Sequence, residues 1–281
     1  MVASDNDRYA RGAGPRRQEY ARPPRVARHN FLHGTAGLTV GCALAALTPC
    51  RSVFAVGNVV RAGQQAGEEH VQDIVDTALL AERVAVTFYY AGLSTPSIVQ
   101  AIAAHSRAPG AGPSGEPVTV AAVRAALYQE HAHEMLFARL GGAPTARAFY
   151  FPASVFVDLG YTSRPGTFLW MLDHLETAVI GLYLAVIKRC GELGRRDLAV
   201  LAARILGVEC EHRALYRMVS QDDPADNITL EVADFATVGA AAAAAALQPY
   251  LTGGFPGGLP RQMVLPSPAQ IARILGSTMS T

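Results

Sequence analysis

Between residues 71 and 219 the chain carries four long stretches in which apolar and small residues recur at helical spacing. The first, from about Val71 to Gly92, runs its apolar face through Ala78, Leu79, Ala85, Val86 and Tyr89. The second, from about Val118 to Leu140, uses Val123, Ala126, Leu127 and Phe137 and stops at Gly141-Gly142 ahead of Pro144. The third, from about Thr167 to Cys190, uses Leu172, Val179, Ile180 and Tyr183. The fourth, from about Asp197 to Val219, uses Ile205, Leu206 and Tyr216. A further helix is predicted over Thr229 to Leu247, through the alanine run Ala240–Ala246, and a short one near Pro268–Leu275. The tail from Thr252 onward is rich in Gly and Pro.

The connections give a topology. A Pro/Gly/Ser-rich loop, about Ala108 to Pro117, follows the first helix. The third and fourth helices are joined by the short turn Gly191 to Arg196, so they lie antiparallel. The second and third are separated by a long aromatic connection, Gly141 to Gly166, long enough to cross the length of a bundle. The expected fold is all-α: a four-helix bundle over 56–220 made of two hairpins and one long crossover, then a C-terminal helix and a wrapping tail over 221–281.

The polar positions are in the wrong places for an ordinary bundle. Glu82 interrupts the apolar face of the first helix and Glu176 that of the third. Glu130 and His133 lie on the stripe of the second, and Glu209 and His212 on that of the fourth. A lone ionised carboxylate in an apolar core costs several kcal/mol or more. Six such groups at one level need a common partner, and two divalent cations supply it. Glu and His three apart share a helix face, one turn apart, so both can reach one ion. The order Glu, Glu-x-x-His, Glu, Glu-x-x-His is the ligand set of two-metal carboxylate bundles. The levels agree too: Glu176 and Glu209 stand nearly equidistant from the turn near residue 193.

The helices also repeat. Aligned on Glu82 and Glu176, the first and third both carry Tyr seven residues on, Tyr89 and Tyr183. Aligned on Glu130 and Glu209, the second and fourth share His, Leu and an aromatic (Phe137, Tyr216) at +3, +6 and +7. The repeat implies a pseudo-twofold axis. The same count puts Cys190 and Cys210 roughly 20 Å apart along the bundle, so two free thiols are expected.

With these residues in place the region from about Val71 to Val219 resembles the ferritin-like superfamily, and within it the bacterial and plant desiccation-related group, whose tail is similar to Pro249-Tyr250-Leu251-Thr252-Gly253-Gly254. The resemblance implies a ferritin-like bundle with Glu82, Glu130, His133, Glu176, Glu209 and His212 as metal ligands, Glu130 and Glu209 bridging. The oxygen and nitrogen ligands fit two Fe ions, alternatively Mn, and such a pair reacts with dioxygen or peroxide, which would mean ferroxidase activity, peroxide removal or oxidation of another substrate. The alternatives are an exported stress or desiccation-type structural protein stapled by its metal, and a metal-free bundle with a buried ion network.

Charge adds a boundary. The net charge of +1 gives no global attraction to nucleic acid. Residues 1–55 hold eight Arg against three acids, leaving 16 basic and 20 acidic residues in the body. Within this leader an Arg-rich stretch, residues 1–30, precedes an apolar run, Gly34 to Leu47, too short to span a bilayer and suited to an export signal cleaved after Ala55. Ala27-Arg28-His29-Asn30-Phe31-Leu32-His33-Gly34 resembles a twin-arginine signal with His29 in place of the second Arg. The expected location is therefore periplasmic or extracellular. The ligand set admits a homo-oligomer and does not demand one.

Other polar residues have plainer expectations. Glu134 and its symmetry mate Arg213 are expected to pair, the alternative being Glu134 as a seventh ligand. His131, Glu211 and His174 are read as solvated, and a supporting role behind a ligand is the alternative reading for Asp173. Tyr89 and Tyr183 either donate to ligand carboxylates, hold a radical, or pack in the core with satisfied hydroxyls, the last being the plainer expectation.

Overall fold

A computed structural model of the chain describes residues 70–105, 115–221, 240–255 and 259–276. The proposed export segment and most of the helix expected from Thr229 lie outside these residues. The described elements are α1 (Val71–Leu93), α2 (Pro96–Ala104), α3 (Val118–Arg139), β1 (Ala148–Pro152), a 3₁₀ turn (Ala153–Phe156), α4 (Phe168–Glu192), α5 (Arg196–Ser220), α6 (Ala240–Ala246), α7 (Gln248–Thr252), β2 (Pro260–Val264) and α8 (Pro268–Leu275).

α1, α3, α4 and α5 are the four long helices that the periodicity predicts, each within a few residues of its expected ends. α4 and α5 form one antiparallel hairpin. Its turn closes through Gly194, whose φ of +73° is open to glycine at no steric cost. α1 and α3 form the other pair, and α1 also touches α2, α4, α6 and α8. That explains why α1 is buried nearly all round, from Ile74 to Leu93, rather than along one stripe.

The crossover from α3 to α4 is an aromatic plug at one end of the bundle. Phe149, Phe151, Phe156 and Phe168 are buried there. Phe88 of α1 stacks on Phe168 with centroids 4.9 Å apart and meets Phe151 at 5.0 Å. Gly92 makes room for this: a Cβ there would lie 2.2 Å from Cζ of Phe168. β1 in the crossover pairs antiparallel with β2 in the tail, Phe149 opposite Met263 and Phe151 opposite Arg261. This two-stranded ribbon is not part of the helical periodicity. The tail then closes with α8, where the Ser267 hydroxyl accepts from the Gln270 N–H (3.3 Å) and Gln270 Oε1 accepts from the Ser267 N–H (2.8 Å). Ile271 and Leu275 of α8 are buried, and the helix packs on α3 and α1. The tail therefore ties the crossover, through β2, to the first helix pair, through α8.

Candidate metal centre

Four helices each send one carboxylate to the middle of the bundle: Glu82 from α1, Glu130 from α3, Glu176 from α4 and Glu209 from α5, all with no exposed surface. α3 and α5 each add a histidine one turn on, His133 and His212, at 9% and 3% exposure. All six expected residues are thus brought together. Their donor atoms fall into two groups, each within 4.8 Å: Glu82, Glu130, His133 and Glu209, and Glu130, Glu176, Glu209 and His212. Glu130 and Glu209 belong to both groups. Each group is one Glu-x-x-His segment, the Glu of the other such segment, and one single Glu.

The distances are short without being hydrogen bonds. His133 Nδ1 lies 3.1 Å from Glu209 Oε1 and 3.6 Å from Glu82 Oε2. His212 Nδ1 lies 2.8 Å from Glu130 Oε1 and 3.3 Å from Glu209 Oε2. Yet both nitrogens lack an aligned partner, as do Glu82 Oε2, both oxygens of Glu130, Glu176 Oε2 and both oxygens of Glu209. These are eight of the ten such buried side-chain atoms among the described residues. Buried polar atoms are almost always paired. Here they gather in two groups, each within 4.8 Å, without aligned hydrogen bonds between them.

That is how the residues fit a metal. The donors are carboxylate oxygens and imidazole nitrogens, suited to Fe, Mn or Zn, with no thiolate among them. Four ionised carboxylates carry four negative charges, which two divalent cations balance. Without cations the cluster gathers protons. Burial, then Glu209, Glu176 and Glu82, push the Glu130 carboxyl well above its usual range. Burial and Glu209 do the same to Glu176. Burial alone would lower His133, but Glu209 and Glu82 overcome it and hold the imidazolium up to about 10. Burial opposes ionisation of Glu209, but the two histidines bring it down to about 2.

The surrounding groups settle which atoms are left free. Tyr89 of α1 donates to Glu176 Oε1, and Tyr183 of α4 donates to Glu82 Oε1. In Glu82 and Glu176 one oxygen is committed to a phenol and the other has no hydrogen-bond partner. Burial first, then the adjoining carboxylates, raise both phenols well above their usual range, so they stay protonated donors. Of the expectations for these tyrosines, donation to the carboxylates is therefore realised inside full burial. Two further contacts were not singled out from the sequence. Gln129 Oε1 sits 2.9 Å from Nε2 of His212, and the Tyr216 hydroxyl donates to that of Tyr89. Gln129 adjoins Glu130, which is the only local signal.

The expected pair of Glu134 with Arg213 is not made. Glu134 meets Arg83 of α1, Nε to Oε1 3.4 Å, and Arg83 also donates to the Pro144 carbonyl at 2.6 Å. Arg213 meets Asp173 of α4 at 3.4 Å and donates to Thr177 at 3.1 Å. Each residue at +4 from its Glu is satisfied by the antiparallel neighbour in its own pair. Asp173 therefore supports Arg213, not a ligand. His131 is half-buried against Glu134 (3.1 Å), while Glu211 and His174 are exposed. Cys190 and Cys210 form no disulfide, as expected.

A family model described as a ferritin-like domain matches residues 70–222, just over half of the chain. No curated protein and no solved structure matches it.

Proposed function

The chain belongs to the ferritin-like domain family, and from that membership and the buried cluster we propose that it holds two Fe ions, alternatively Mn, and works in oxygen, peroxide or iron chemistry under stress. The observation that carries this reading is the set of eight buried donor atoms without an aligned hydrogen-bond partner, contributed by six residues on four helices. Glu82, Glu130, His133 and Glu209 would hold one ion, and Glu130, Glu176, Glu209 and His212 the other, with Glu130 and Glu209 common to both. When bound, such a pair of ions supplies redox and Lewis-acid chemistry toward dioxygen or peroxide. The chain's own part is to keep bulk water from the carboxylates, to hold Glu82 and Glu176 by one oxygen each through Tyr183 and Tyr89, and to turn Nδ1 of each histidine inward.

A second reading rests on the same burial. One cluster ties all four helices, so bound metal would staple the bundle of a non-enzymatic desiccation-type protein. Fe(II)-loaded full-length protein, mixed anaerobically and then exposed to oxygen or peroxide, separates the two. Oxidant consumption well above that of the Glu130→Ala/Glu209→Ala variant supports the oxidative role. Consumption equal to that of the variant, in protein that binds iron, leaves the staple. We also propose export through the twin-arginine-like leader. An exported form beginning at Val56 supports that, and a wholly retained protein contradicts it.

A further inference from the structure

The six ligands obey the internal repeat, but the residues behind them do not. His212 presents Nδ1 to the carboxylates and its Nε2 proton to Gln129 Oε1, 2.9 Å away. His133, the symmetry mate of His212, has no partner for Nε2 among the described residues. The reason is in the sequence. Gln129 precedes Glu130, and the residue that precedes Glu209 is Val208, which has no acceptor. The second break lies at +7. Tyr216 donates to Tyr89, which donates to Glu176. Its mate Phe137 lies against Tyr183, ring centroids 6.1 Å apart, and offers no hydroxyl to the phenol that serves Glu82.

Both breaks favour the same side. Gln129 serves His212 and Tyr216 serves Glu176, the two ligands that belong to one ion position alone. The position of Glu82 and His133 has the single phenol Tyr183 behind it and the more exposed histidine, 9% against 3%. An acceptor on the outer nitrogen fixes the tautomer and the ring of a ligating histidine and makes it a better donor. A chain of two phenols polarises along its length and holds the carboxylate more firmly than one.

We propose that the two ion positions are unequal by construction: Gln129 and Tyr216 are positioning residues for the Glu176–His212 position, which fills first and more tightly, while the Glu82–His133 position exchanges its ion more readily. This rests on the two-ion reading above. Groups behind metal ligands change affinity by about 10–100-fold, and that is the expected gap between the two steps.

The test is a titration of metal-stripped full-length protein with Mn(II), counting bound ions and resolving the steps. Wild type is expected to bind two ions in steps separated by about 10–100-fold. Gln129→Val with Tyr216→Phe makes the two halves alike and closes the gap by weakening the first step. Val208→Gln with Phe137→Tyr closes it from the other side by strengthening the second. His212→Ala removes the tight step, whereas His133→Ala leaves it. Circular dichroism of each variant certifies the fold, and the strengthening variant stands even if the weakening one misfolds. Two equal steps in wild type, or a gap unchanged in both folded double variants, would overturn the inequality and leave the two-ion reading intact. No Mn(II) bound by wild type would sink that reading and this one with it.

Discussion

The hydroxyl of Tyr183 donates to Glu82, 101 residues earlier in the chain, and Tyr89 returns the contact to Glu176. α1 and α4 thus hold each other's carboxylates through a reciprocal pair of phenols, which no packing of apolar side chains alone would require. Tyr183→Phe removes a hydrogen bond to a buried acid and leaves Glu82 Oε1 without its donor. A loss of about 1–3 kcal/mol in urea-induced unfolding is expected, and a loss below the error of the measurement would contradict the contact.

Glu130 is costly to the protein when no ion is bound, because burial and three neighbouring carboxylates oppose its charge. Glu130→Gln should raise the melting temperature of metal-stripped protein at pH 8 and abolish the rise on adding Mn(II). A lower melting temperature for the stripped variant would show that the carboxylate is already satisfied.

pH acts through the same groups. His133 is held up to about 10 from an ordinary 6.5, so its contribution is complete below about pH 6.5 and is lost as pH rises through about 10. The carboxyls of Glu130 and Glu176 are also raised, so their contribution falls as pH rises above the ordinary 4.5. Glu209, lowered to about 2, has the opposite sign and loses its contribution only as pH falls below 4.5. Metal-stripped protein should therefore melt at steadily lower temperature from pH 6 to pH 10. Metal binding displaces those protons, so Mn(II) affinity should rise over the same range. Flat melting and flat affinity across it would contradict the proton-filled cluster.

Gly92 is a packing requirement. A methyl group there collides with Phe168, which is locked between Phe88 and Phe156. Gly92→Ala should cost about 1–3 kcal/mol in chemical denaturation, and an unchanged midpoint would show that the aromatic plug yields.

The four helices and six clustered residues could be read in advance because a buried Glu on an apolar stripe is an anomaly visible within one helix. Short elements gave no such signal. β1 contains Pro152, and its partner β2 lies more than a hundred residues on, so its pairing is a tertiary fact. α2 is nine residues long, of which only Ile98 and Ile102 are buried. Gln129 was opaque because its meaning depends on His212, a residue of another helix. The pairing of Glu134 failed for a related reason. Symmetry relates it to Arg213, but its antiparallel neighbour α1 supplies Arg83, while Arg213 meets Asp173 of α4.

The most direct measurement is metal content by mass spectrometry of full-length protein loaded anaerobically with Fe(II) or Mn(II) and desalted, beside the Glu130→Ala/Glu209→Ala variant. About two ions per chain, lost in the folded variant, is the predicted result. Wild-type protein that stays empty after loading with either metal would contradict the centre and leave a bundle whose buried acids are held by protons alone.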